Sequence, residues 1–252
     1  MAENDSNLND FSEVTCVEAD NFIKCLQLLA ISLAAAIAGY VLMPLLADCI
    51  DMIFPPVGGF LRAAGPLVCL ALTLGMVRLI SGNWHDSAKM LDMSVFPVKA
   101  LIWVLPAAIG LTILCCGVTF LWGELLDHCN IPYDKPLTTE IMLDGNTCQV
   151  IMLLAIALLA APFFEEIIMR RALYGVLKNY IGNAGAIAIT SVLFALSHFS
   201  LLQIPGLIIM AVIWHVAYLK SKTLWTSMLL HLCNNIVAAL LMIAARWVDF
   251  LN

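Results

Sequence analysis

Charge is what this 252-residue sequence has least of. Asp, Glu, Lys and Arg make up 12% of it, where an ordinary soluble domain carries roughly 25%. Hydrophobic residues make up 62%, and the mean hydropathy is +0.96. No single globular core can bury that much apolar surface and still cover itself with polar groups. A soluble fold is therefore excluded, and the lipid bilayer is the solvent this composition fits. Basic residues are also missing from the first 23 positions, which hold six carboxylates: Glu3, Asp5, Asp10, Glu13, Glu18 and Asp20. The rest of the chain holds 12 acids and 12 bases, so the net charge of −6 belongs to this leader. It reads as a solvated, flexible tail. With no basic n-region and no cleavage site, it is not expected to be removed as a secretory signal. The lack of a basic patch argues against nucleic acid as a partner, and no internal repeat divides the chain.

What is present is a series of seven apolar stretches, near 25–46, 60–80, 101–122, 149–169, 184–202, 204–219 and 224–245. A span needs about 20 residues at about 1.5 Å each. The fold class expected is all-α, a polytopic transmembrane helix bundle of about seven or eight spans. Residues 1–23 form the acidic tail, 24–148 three helices with their loops, and 149–252 a four-helix membrane core. With seven spans, nine of the 12 bases fall on the side of the N-terminus and three (Arg62, Lys135 and Arg246) on the other. The positive-inside rule then makes the N-terminus cytoplasmic.

Nine cysteines form no metal-binding pattern. Cys69, Cys115, Cys116 and Cys233 lie in apolar runs and read as small hydrophobes. Cys129 and Cys148 flank the third loop, where a disulfide or two free thiols are equally open readings.

Ionisable and amide groups inside apolar runs are the natural functional candidates, because burying them unpaired is costly. The first cluster, Pro162-Phe-Phe-Glu165-Glu166-Ile-Ile-Met-Arg170-Arg171, puts two carboxylates at the end of an apolar run. If the helix continues, Glu166 and Arg170 are i, i+4 partners. Glu165, about 100° round the helix, is then left to face a cavity, where a desolvated carboxylate suits general-base work. The alternative is a solvated helix end. Phe194 and His198 share a face of the fifth stretch. His231 and Asn235 share a face of the seventh, supplying either two donors for an oxyanion or hydrogen bonds that hold helices together. Asn234 faces elsewhere and is the weaker candidate. His215, without a partner at helical spacing, reads as structural.

Taken in order, EExxxR, FxxxH and HxxxN on successive hydrophobic segments resemble the CAAX protease and bacteriocin-processing family (CPBP, formerly Abi) of intramembrane endopeptidases. The resemblance covers about residues 150–240. It implies a helical membrane peptidase in which Glu165 is the general base, His198 helps to position the water, and His231 and Asn235 form the oxyanion hole. Glu166 and Arg170 would support the first motif. It also implies a metal-free glutamate mechanism with no cofactor, acting on a membrane-associated and in some relatives prenylated peptide or protein. Zinc held by Glu165, His198 and His231 is the alternative, although no His-Glu-x-x-His spacing is present. The other function classes open to a chain of this kind are a transporter or proton pathway and a non-catalytic scaffold. The polar groups gather in three motifs and form no ladder across the remaining spans, which disfavours a proton pathway. The expected setting is a prokaryotic inner membrane, with lipid and a membrane-associated substrate as partners.

One feature of the simple spans conflicts with a shared site. If the fifth helix starts at the surface near Asn183, His198 lies roughly 22 Å deep, whereas Glu165 and His231 are near the edge. Either the segment 171–183 dips into the membrane or the fifth helix begins well below the surface; the amphipathic sequence of 171–183 suits a dip or an interfacial helix.

Overall fold

A computed structural model describes the backbone of residues 3–51 and 64–251 and the side chains of 18–50 and 64–248. Arg62 and the first residues of the second apolar stretch lie outside it. The described chain is helical, with no strand. In order come α1 (Glu3–Ile37), a π-helical segment (Ala38–Leu42), α2 (Met43–Asp51), α3 (Gly65–Ser81), α4 (Trp84–Met90), α5 (Leu101–His128) and α6 (Leu137–Asp144). Then follow α7 (Thr147–Ala155), a π segment (Ile156–Ala160), α8 (Ala161–Glu166), a second π segment (Ile167–Leu173), α9 (Tyr174–Leu196), α10 (Ile204–Ser221) and α11 (Leu224–Leu251).

Local chemistry explains the boundaries. Gly82 ends α3 in the left-handed conformation (φ 77°), and Asn83 caps α4 by accepting from the Asp86 amide. The resulting bend between α3 and α4 is 112°. Asn146 and Gln149 form a reciprocal capping box that starts α7. The backbone is helical from Glu3 and runs without interruption into the first apolar helix.

Among the described residues, five helical runs are long and apolar enough to cross a membrane, or six with the bent α3–α4 pair. One of the five, Thr147–Leu196, is 50 residues long and joins the fourth and fifth apolar stretches. Gly182 divides it with φ 71° and ψ 173°, a conformation closed to residues with a side chain. The protein is an integral membrane protein. Its large apolar side chains face outwards, as with Ile102 at 82% exposure. Its buried set includes Glu166, Arg170, Arg171, His215, His231 and Asn234. With hydrocarbon outside, helices associate through close backbone approach and internal polar contacts. Gly39 and Gly65 illustrate the first: a Cβ on Gly39 would collide with the Gly65 carbonyl oxygen and the Cys69 sulfur.

Among the described residues the two larger of three packed regions fill most of the interior. One joins Leu28, Val77, Ile167, Tyr174, Tyr218 and Met228. The other joins Val104, Leu111, Phe194, Ala211, Trp214 and Leu230. At one end of the bundle α1 meets the 171–183 region. At the other, Arg246 of α11 donates to the carbonyls of Met142 (2.9 Å) and Gly145 (2.8 Å) near α6. Cys129 and Cys148 are exposed free thiols.

Candidate active site

The depth conflict disappears because the fourth helix does not end near residue 169. It continues to the break at Gly182, and Ile167, Arg170, Arg171, Ala172 and Tyr174 are all buried. Residues 171–176 thus pack inside the bundle, and the segment becomes exposed from Asn179 to the break. Arg170 lies 12 residues before Gly182 and Phe194 12 residues after it, each roughly 18 Å from the break along its helix. The break therefore brings the two residues to one level, and the Arg170 guanidinium sits 4.8 Å from the centre of the Phe194 ring.

Glu165 and Glu166 occupy the last turn of α8, a six-residue α-helical piece with a π segment on either side. Such insertions rotate one helix face relative to the next and often occur at functional sites. Pro162 accounts for part of the irregularity. The Ala161 amide bonds to Ile156 across a π turn, and the next amide in that register, residue 162, does not exist in proline. The Ala157 carbonyl is met instead by the Asn235 carboxamide, which donates to it at 2.8 Å. Asn235 thus ties α11 to the bend that presents Glu165.

The two carboxylates differ in their surroundings. Glu166 is fully buried, with Oε1 3.2 Å from Arg170 Nη1 and 3.1 Å from His231 Nδ1. Glu165 keeps a quarter of its side chain exposed, and its Oε2 lies 3.8 Å from His231 Nε2. His231 stands between the two. A carboxylate paired with arginine can only accept, so His231 donates from Nδ1 to Glu166 and turns Nε2 towards Glu165. Glu165 Oε2 is buried and accepts no hydrogen bond from the described residues.

Aromatic rings hold this arrangement. Trp214 stacks on His231 with centroids 4.1 Å apart and an 18° interplanar angle. The Arg170 guanidinium lies 5.4 Å from the Trp214 ring, giving it a second cation–π neighbour. Asn234 fixes the indole: its Oδ1 accepts from Trp214 Nε1 at 3.0 Å, while its Nδ2 donates to the Ala108 carbonyl (2.8 Å) and Thr112 Oγ1 (2.9 Å) of α5. Sequence spacing ranked Asn234 below its neighbour and gave Trp214 no role. The only sequence signal was that Asn234 is a second amide directly beside the HxxxN pair.

His198 is not on the helical face expected for it. α9 ends at Leu196, and His198 occupies the following turn, its Nδ1 2.8 Å from the Phe194 carbonyl oxygen and its ring 4.8 Å from the Phe194 ring. Its Nδ1 donates to that carbonyl, which leaves Nε2 with a lone pair. No hydrogen bond links it to Glu165; Phe194, 6.0 Å from the His231 ring, lies between the two histidines. His215 is buried among tyrosines, 4.3 Å from the Tyr174 ring and 6.2 Å from that of Tyr218. Among the described residues no group of three or more His, Cys, Asp or Glu side chains is placed to hold a metal ion, so Glu165, His198 and His231 are not assembled as a ligand set.

Residues 147–237 match the family model described as type II CAAX prenyl endopeptidase, Rce1-like, which is consistent with the CAAX protease and bacteriocin-processing family. The matched region runs from α7 into α11 and holds Glu165, Glu166, Arg170, Phe194, His198, His231 and Asn235. No significant match to the chain was found among curated proteins or among solved structures.

Proposed function

We propose that this membrane protein, with its Rce1-like region at 147–237, is a CAAX-type intramembrane endopeptidase that hydrolyses a peptide bond in a membrane-associated substrate. The observation that carries the reading is the division of labour between the adjacent carboxylates. Glu166 is committed to Arg170 and His231, whereas Glu165 has an open face and a histidine nitrogen beside it. Glu165 takes a proton from the attacking water as general base. The lone pair of His198 Nε2 orients that water from the other side of the Phe194 ring. His231, donating to Glu166 through Nδ1, donates through a second N–H at Nε2 and, with the second N–H of Asn235, faces the oxygen on which charge develops. Glu165 returns its proton to the leaving amine as the tetrahedral intermediate collapses. Every step uses side chains alone, so the proposed mechanism needs no metal and no cofactor. The setting proposed is a prokaryotic inner membrane with a cytoplasmic N-terminus.

The test is cleavage of a fluorogenic farnesylated peptide ending in a CAAX sequence, together with a non-prenylated control, by protein purified in detergent. Glu165→Gln is expected to lower the rate by about 10²–10⁴, the usual contribution of a general base, with the melting profile unchanged. Wild-type turnover in Glu165→Gln would overturn the assignment. Activity that disappears on strict chelation would replace the glutamate mechanism with a metal-dependent one.

A further inference from the structure

Away from the carboxylates, a cavity of about 280 Å³ opens where the start of α1 passes the Gly182 break. Polar side chains form most of its wall: Glu18 and Asn21 from α1, and Lys178, Asn179 and Asn183 from either side of the break. The hydrogen bonds already made within the protein decide what this wall offers. Asn21 Oδ1 accepts from Arg171 at 2.9 Å, and Asn183 Oδ1 accepts from the Tyr174 hydroxyl at 2.9 Å. Both carboxamides therefore have their acceptor ends occupied and their NH₂ ends available. The Lys178 ammonium lies 5.9 Å from the ring of Tyr174, the residue whose hydroxyl bonds to Asn183, and both Lys178 and Asn183 line the cavity. Three donor groups, one of them cationic, thus converge, and a lysine ammonium with amide donors is a ready receiver of phosphate oxygens. A bare phosphate would meet the Glu18 carboxylate as well. A phosphate with a primary ammonium two carbons away would satisfy both ends of the cavity.

The surroundings give the source of such a group. Phe22 packs edge-on against Tyr180 at 6.1 Å. Tyr180 is 72% exposed, as an interfacial aromatic would be. Ile23, Leu26 and Leu33 continue outwards along α1 as an exposed apolar track from the cavity mouth. We infer that the cavity between α1 and the Gly182 break binds the phosphoethanolamine headgroup of a membrane phospholipid, phosphate to Lys178, Asn21 and Asn183, ammonium to Glu18, acyl chains along the exposed side of α1. The inference is independent of whether Glu165 hydrolyses anything.

The test is native mass spectrometry and thermal unfolding of the delipidated full-length protein in detergent, titrated separately with phosphatidylethanolamine, phosphatidylglycerol, phosphatidylcholine and inorganic phosphate. One phosphatidylethanolamine per chain is expected, with a raised unfolding midpoint. Lys178→Glu should weaken its retention by about tenfold or more while leaving the lipid-free midpoint unchanged. Glu18→Gln should abolish the preference over phosphatidylglycerol. Equal retention of all three lipids, or undiminished binding by Lys178→Glu, would overturn the site. An equal rise in midpoint with inorganic phosphate alone would overturn the lipid as its occupant.

Discussion

Arg170 and Arg171 are adjacent, both arginine and both buried, yet they serve two different regions of the molecule. Arg170 points into the candidate active site, where a carboxylate and two aromatic rings surround it. Arg171 points the other way, towards the N-terminal half. Its Nε donates to the Met90 carbonyl at 2.8 Å and lies 3.3 Å from Asp92 Oδ2, its Nη1 is 2.9 Å from Cys25 Sγ, and its Nη2 donates to Asn21. Asp92 in turn accepts from the Tyr218 hydroxyl at 2.6 Å and, through its carbonyl, from the Leu224 amide. One guanidinium thus belongs to the candidate site, and the next latches α1 and the α4 loop onto the matched region. The difference lies in what each partner can tolerate losing. Glu166 has no access to water, whereas Asp92 is 35% exposed and can be solvated when its partner goes.

The comparison breaks most forcefully at Arg170. Arg170→Met leaves Glu166 charged, buried and uncompensated, which costs about 3–5 kcal/mol. Thermal unfolding in detergent should register a large loss, together with loss of cleavage. The double variant Glu166→Gln/Arg170→Met removes both charges and should recover most of the stability. Activity should stay lost, because His231 Nδ1 no longer faces a carboxylate. Recovered cleavage in the double variant would mean that the pair only holds the helices together.

Arg171→Met should give the complementary result. Its four contacts disappear, but Asp92 turns to water, so a loss of roughly 2–3 kcal/mol is expected. The residual folded protein should cleave with an unchanged dependence on substrate concentration. A fall in turnover without a fall in stability would show that the latch acts on the site itself.

How far each region could be read from sequence follows from the same contrast. Arg170 and Glu166 are four residues apart on one helix, so helical geometry alone places them together. Phe194 and His231 belong to equally local motifs. The Arg171 partners are 79 to 150 residues away in the chain, and no periodicity encodes such contacts. The bilayer as solvent and the all-helical class are compositional and legible. The span ends are less so, because a glycine in a conformation with φ 71° reads in sequence as one small apolar residue among many. For that reason the burial of 171–176 inside the bundle, ahead of the exposed residues at the break, is not legible in the sequence. Asn235 resembles an oxyanion donor by spacing, yet it is also the anchor of the Pro162 bend, since the carbonyl it meets is orphaned by a proline in another helix.

The smallest effect tests how far the site extends beyond the matched region. Thr112 lies in α5, outside 147–237, and touches no catalytic side chain; its hydroxyl meets Asn234, which holds the Trp214 indole, which stacks on His231. Thr112→Val keeps the shape and removes one hydrogen bond, worth about 0.6 kcal/mol within a membrane bundle. A purely structural hydrogen bond would lower stability by that amount and leave the pH profile of cleavage alone. If the chain of contacts positions His231, the profile should shift while the wild-type profile returns in Thr112→Ser, which restores the hydroxyl. The distinction is chemical: packing responds to the methyl groups of valine, which are the same size, but the orientation of Asn234 responds to the acceptor. Rescue by serine would therefore place α5 within the functional unit, although the recognisable motifs all lie elsewhere in the chain.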